Sequence, residues 1–579
     1  MPNLDVSEFN IVCSVLGAFI VVFGLCSYVV KERAFVSEAL VALLIGVAFG
    51  PIGSGWIEPE RFGDGNADVK KITLAFTRLV IGVQLVLAGV ELPSKYIWRE
   101  RWSLFVLLIP IMTTMWVISA LFVYLLIPNL HYIEALVIAA CVTPTDPILA
   151  NSIVRGRFAE KYVAPHLRNI ISAESGANDG FGYPFLFLAT YLIKYDSGKA
   201  IGMWFYETWC YNILLSCAYG TVIGWLAKEV LHFSEKNVWL KLIKSSAGGS
   251  RKYIDKESFL VFAIALALFT FGTAGLFGTD DLLACFVAGN VFTWDDWFRI
   301  ETEKEHLQST IDMLLNISIF VYLGAIMPWS DFNNHEIGTS VWRLIVMGIC
   351  VLIARRLPIV LALYKFMPTT IKNFREAMFA GFFGPIGVGA VFYAAIAYEQ
   401  FEESKDERQH RLAELVIPVV YFLALSSIVV HGVTIPIIKL GQRIPISSLD
   451  FRSISISRPS TSAPKNDSAF ARMKIFKPAD VDARLQEMKD LEARGVPPPM
   501  FDPKDGPEEV ARSVGSQSTN DESSVDAFAG RGRRITIQDP RDMAALEDQN
   551  RKESEVAFQE GNDIIVEDRD GFHQRVYHM

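Results

Sequence analysis

From about residue 10 to about residue 440 the chain is a succession of apolar blocks, each roughly 20 residues long. At about 1.5 Å of rise per helical residue, such a block crosses a hydrocarbon core about 30 Å thick. Candidate spans lie near 9–30, 34–53, 72–92, 103–127, 133–152, 167–193, 210–231, 259–277, 281–297, 311–328, 341–363, 376–398 and 413–439. About thirteen transmembrane helices are therefore expected in residues 1–442, an all-α polytopic membrane domain. Residues 443–579 contain no such block and carry many of the acids behind the formal net charge of −9. They form a separate cytoplasmic regulatory tail, rich in Ser, Pro, Asp and Glu and expected to be mostly disordered.

The loops alternate in charge. Lys and Arg number about 21 in 31–38, 93–102, 155–168, 228–257, 295–310 and 364–375, against about 8 in the loops between them. Positive loops stay cytoplasmic, which puts the N-terminus outside and the tail inside. The first block follows an acidic "MPNLDVSEFN" and is too long for the apolar region of a signal peptide, so it reads as a span. All seven cysteines fall within or at the ends of apolar blocks, an arrangement that argues against a disulfide framework, and none has metal-site spacing.

Two spans are broken in the same way. The fifth contains "TPTDP", residues 143–147, and the twelfth contains "GFFGPIGVGA", residues 381–390. If spans 1–6 and 8–13 are two copies around a linker span, these are corresponding members. Paired Gly/Pro interruptions of this kind mark transporters built from inverted repeats, whose half-helix ends leave dipoles and free carbonyls near the midplane.

Ionisable groups deep in a membrane are costly and are kept where function needs them. Asp146, Glu174, Asp179, Arg355 and Arg356 all fall well inside candidate spans. Glu174 and Asp179 are about 140° apart around a helix, with Ser175 and Asn178 between them. Carboxylate, hydroxyl, amide and carbonyl oxygens are hard donors that suit an alkali cation. A carboxylate that binds either a cation or a proton, but not both, is the minimum device for exchange. No His-Glu-x-x-His, nucleophile elbow or phosphate loop points to an enzyme, and no cofactor or nucleic-acid partner is expected.

"TPTDP", "ESGANDG", "ARRLP", "GFFGPIGVGA" and "HGVTIP", in that order, resemble the monovalent cation–proton antiporters, and most of all the fungal plasma-membrane sodium/proton branch. The resemblance implies two inverted six-helix repeats with crossed broken helices, a homodimer, and a core domain that moves against a dimerisation domain. It implies Asp179 as the main carrier of cation and proton, with Thr145, Glu174 and Ser175 helping to hold Na⁺. Asp146 and Asn178 would bridge the crossed helices and shape access. Arg355 or Arg356 would neutralise the acids; Arg355 is the preferred partner, leaving the second arginine to face water, headgroups or another helix. Many relatives outside fungi carry an arginine where this chain has Ile386. The fungal-type pair Asp280–Asp281 either tunes selectivity and gating or simply starts a helix with acids that suit its dipole.

The function implied is secondary exchange of Na⁺, with Li⁺ and K⁺ as further candidate cargo, for H⁺ across the plasma membrane. The alternatives are an intracellular alkali-cation/proton exchanger and a transporter-derived sensor acting through its tail. In the tail, residues 478–499 have the pattern of a short amphipathic helix that could dock on the transporter or the inner leaflet, and "EGNDIIVEDRDG" reads as a strand-like docking peptide or acidic filler. Ser455, Ser460 and Thr536 lie close to arginines and are candidate kinase sites, which makes kinases or regulatory proteins candidate partners of the tail.

Overall fold

Apolar stretches without strand alternation leave the backbone one way to satisfy its own polar groups in lipid, and the first part of the chain takes it. In a computed structural model, residues 7–27, 36–62, 65–147, 149–150, 163–236, 256–302, 307–443, 474–475, 556–560, 563–567 and 574–578 are described. They divide into two compact units, Met1–Arg458 and Pro459–Met579.

The regular structure among the described residues of the first unit is helical. The main helices are α1 (Glu8–Ser27), α2 (Glu38–Phe49), α3 (Asn66–Glu91), α4 (Arg101–Leu126), α5 (Tyr132–Cys141), α6 (Pro165–Gly180) and α7 (Tyr183–Lys194). They continue with α8 (Ser197–Ser234), α9 (Lys256–Phe277), α10 (Asp281–Phe292), α11 (Leu307–Ala325), α12 (Val341–Phe366), α13 (Phe374–Phe382), α14 (Val388–Phe401) and α15 (Glu407–Arg443). Five of these are long and apolar enough by length and composition to cross a membrane: α3, α4, α8, α12 and α15 up to Thr434. Others are shorter than their apolar blocks because the blocks are interrupted.

The interruptions follow the sequence. Helix α5 stops at Cys141 ahead of Pro144 and Pro147, and the chain is non-helical until it resumes at residue 147. Helix α13 stops at Phe382, residues 383–387 are non-helical, and α14 starts at Val388. The sixth block, read above as one span, is also two helices. Gly180, Phe181 and Gly182 end α6, and Pro184 sits in the first turn of α7, where a missing N–H costs nothing. Helix α10 lies at the centre of the packing, where Gly220 and Gly224 of α8 meet Ala284 and Ala288 at backbone distance. Close approach of small residues is what holds helices together where lipid removes the hydrophobic drive.

The described residues of the second unit form a four-stranded antiparallel sheet, β1 (Lys474–Ile475), β2 (Val556–Glu560), β3 (Asp563–Glu567) and β4 (Gln574–His578), in that order. Short β-branched runs such as Ile564-Ile565-Val566 favour strands, and β3 falls within the segment read as strand-like. Residues 478–499, Ser455, Ser460 and Thr536 lie outside the described residues.

Candidate functional site

The two breaks meet. The backbone N–H of Asp146 donates to the carbonyl of Pro385 at 2.9 Å, joining the gap after α5 to the gap after α13. Each gap leaves carbonyls without helical partners, the negative ends of two half-helices. Arg355 answers both, donating from Nη1 to the Val142 carbonyl and from Nη2 to the Gly384 carbonyl, the latter at 2.5 Å. From α15, the Ser427 hydroxyl accepts the N–H of Ile386 at 2.7 Å, and His431 Nε2 lies 3.1 Å from the Phe382 carbonyl.

Helix α6 lays its polar face against this crossing. Asn178 accepts from the Thr145 N–H at 3.2 Å and donates from Nδ2 to Thr145 Oγ1 at 2.8 Å. Thr145 Oγ1 also lies 3.1 Å from Ser175 Oγ. Thr145, Asp146, Glu174, Ser175, Asn178 and Asp179 are all buried. The structure therefore brings the first-break residues and the α6 residues into one cluster, with Asn178 and the Asp146 backbone as the bridges.

The arginines correct the sequence reading. Arg356, not Arg355, pairs with Glu174, through two bonds of 2.5 and 2.7 Å, and its Nε donates to the Ala380 carbonyl at 2.9 Å. The second arginine does not face water or headgroups: Arg355 and Arg356 are 2% and 3% exposed. Helical arithmetic separated them by about 100°. The chain bends at these two residues, after the regular turns of α12 end at Ala354, so both side chains turn inward. With both Glu174 oxygens bonded to Arg356, that carboxylate is committed to the ion pair.

Asp179 is different. It is fully buried, and neither carboxylate oxygen has a hydrogen-bond partner among the described residues. The Gly-rich run of the second break makes room for it. A methyl group at Gly389 would stand 2.6 Å from Asp179 Oδ1, and one at Gly387 would collide with the Asp146 carboxylate. These two positions need glycine because a carboxylate occupies the space of a side chain.

Of the acid pair, Asp280 is the N-cap of α10, its Oδ1 accepting from the Leu283 N–H at 3.0 Å, which is the helix-start alternative. Asp281 is paired with Arg78 of α3. Gly180, next to Asp179, packs on the Leu283 backbone of α10. Ser427 and His431 were missed as residues that tie off the second break. Their signal was a hydroxyl and an imidazole four apart on one face of an apolar helix.

A family model described as "Sodium/hydrogen exchanger, transmembrane" matches residues 17–440. A probable Na(+)/H(+) antiporter of Schizosaccharomyces pombe is 42% identical over 463 residues, 78% of this chain and 58% of that protein. A Na(+)/H(+) antiporter of Saccharomyces cerevisiae is 41% identical over 458 residues, 76% of this chain and 44% of that protein. The chain thus spans about half the length of these relatives. The solved structure of the sodium proton antiporter MjNhaP1 from Methanocaldococcus jannaschii has the same fold, at a TM-score of 0.52 and 16% identity, covering 74% of this chain and all of that one.

Proposed function

The chain belongs to the transmembrane sodium/hydrogen exchanger family, whose members are transporters rather than enzymes, and on that premise we propose that it exchanges Na⁺ for H⁺ across the plasma membrane. The observation that carries this reading is the Asp179 carboxylate, fully buried and without a hydrogen-bond partner among the described residues. An isolated buried carboxylate is neutralised by a cation or by a proton, and one group cannot hold both. Ser175, one turn before Asp179 on α6, and Thr145, whose hydroxyl lies 3.1 Å from that of Ser175, offer further hard oxygens for Na⁺, with Li⁺ and K⁺ as related cargo. Asp146 and Asn178 keep the crossing closed around the ion. Arg356 neutralises Glu174, so that Asp179 keeps a negative charge free to exchange occupants.

The chain acts in this reading as a homodimer with its N-terminus outside, following the excess of Lys and Arg on the alternate loops. The part beyond Arg443 regulates, with kinases or other proteins acting on it, and does not line the path.

Purified protein in proteoliposomes, with an internal pH dye and successive additions of Na⁺, Li⁺ and K⁺, tests the reading. Na⁺ should drive proton flux in the unaltered chain. Asp179→Asn should be silent yet melt like the unaltered protein, because an amide fills the same space but carries no exchangeable proton. Sustained cation-driven flux from well-folded Asp179→Asn would overturn the assignment. A chain ended shortly after Arg443 should still exchange, with an altered pH response. Imaging a tagged copy at the cell margin rather than on internal membranes tests the location.

A further inference from the structure

Helix α14 grips Asp179 at two points one turn apart. Gly389 leaves space for its carboxylate, and Tyr393, four residues on and on the same face, reaches its main chain. The Tyr393 hydroxyl lies at the carbonyl of Asp179 and 3.3 Å from that of Gly180, the orphan carbonyls where α6 ends. Its ring fills the gap between α6 and α7: a methyl group at Gly182 would stand 2.7 Å from the phenol oxygen. The ring also packs edge-on against Tyr183, the first residue of α7, with centroids 5.7 Å apart. Tyr393 is 0% exposed.

We propose that Tyr393 is a positioning residue for ion exchange, which holds the end of α6 so that the Asp179 carboxylate stays over Gly389. This rests on Asp179 being the ion carrier. Neither Tyr393 nor the Gly180–Gly182 break carries charge, so Tyr393 acts through Asp179. A phenol aimed at the carbonyls of a helix that must end there is a device for setting angle. The α6–α7 break places Asp179 in the last turn, where loss of the anchor lets the carboxylate drift from the hydroxyls of Thr145 and Ser175.

The test is the Na⁺ dependence of exchange in proteoliposomes for Tyr393→Phe, with Asp179→Asn and Tyr191→Phe alongside. Tyr191 is another buried tyrosine, whose hydroxyl bonds Glu207 Oε2 at 2.8 Å, away from the crossing. Tyr393→Phe keeps the ring and removes one hydrogen-bond donor. The Na⁺ concentration for half-maximal rate should rise about threefold to tenfold, the scale of one such bond, with the maximal rate little changed. Because a weaker cation competes less well with the proton, the pH profile should move toward alkaline pH. Unchanged half-saturation and pH profile, a fall in maximal rate alone, or the same shift in Tyr191→Phe would overturn the proposal. If Tyr393→Phe does not fold, a ring-fluorinated tyrosine at 393 keeps and strengthens the donor; half-saturation should then stay equal or fall, and a rise would overturn the proposal. Flux from Asp179→Asn would bring down the carrier reading itself, whereas a silent Asp179→Asn beside a normal Tyr393→Phe would bring down only this one.

Discussion

The break after α5 and the break after α13 both interrupt their blocks around proline, the first with small polar residues and the second with glycines, and they do different work. Residues 142–146 bring side chains: the Thr145 hydroxyl and the Asp146 carboxylate stand in the cluster with Asn178 and Ser175. Residues 383–387 bring space and carbonyls. Gly387 yields its side-chain volume to Asp146, Gly384 offers its carbonyl to Arg355, and Ile386 turns its N–H to Ser427. A crossed pair of breaks thus needs only one chemically equipped member; the other must be small and well tied.

The sharpest way to break this comparison is to give the second break a side chain. Gly387→Ala sets a methyl group into the Asp146 carboxylate, and Gly389→Ala, just past the break in the first turn of α14, sets one 2.6 Å from that of Asp179. Both should abolish flux in proteoliposomes, with Gly387→Ala also lowering the melting temperature in detergent. Normal exchange by either would show that the second break has room to spare.

Next in size is the arginine pair. Arg356→Ala leaves Glu174 buried without its partner, a loss on the order of 3–5 kcal/mol for comparable pairs in soluble proteins. Arg355→Ala removes bonds to two carbonyls and no ion pair, so its melting temperature should fall less. Combining Arg356→Ala with Glu174→Ala should recover part of the loss, because no uncompensated charge remains. Equal melting of the two single variants would remove the distinction drawn between the arginines.

The smallest effects separate chemistry from architecture. Thr145→Ala should raise the Na⁺ needed for half-maximal exchange, and it also lowers the melting temperature because Asn178 Nδ2 loses its acceptor. Ser427→Ala leaves the Ile386 N–H without its acceptor, at a cost of about 1–3 kcal/mol, and should lower the melting temperature at unchanged half-saturation. Thermal melts and Na⁺ titrations of the two side by side check the contrast; if their effects trade places, the roles of the breaks are reversed.

Much of this molecule was determined by its sequence alone. Block length dictates helices in a bilayer, Pro144, Pro147, Gly384, Pro385 and Gly387 dictate where two of them stop, and motif order is enough to identify the family. Those are local consequences of backbone chemistry and composition. The tertiary structure decided the pairings. Arg355 and Arg356 are neighbours of identical type, and only the bend after Ala354 and the direction of nearby carbonyls assign one to the breaks and the other to Glu174. The gap between α6 and α7 receives the ring of Tyr393, and the glycines at 387 and 389 acquire their reason only when two carboxylates from elsewhere in the chain arrive beside them. A one-dimensional pattern says that a buried charge must find a partner; which partner it finds is set by helices that are distant in the chain and adjacent in the fold.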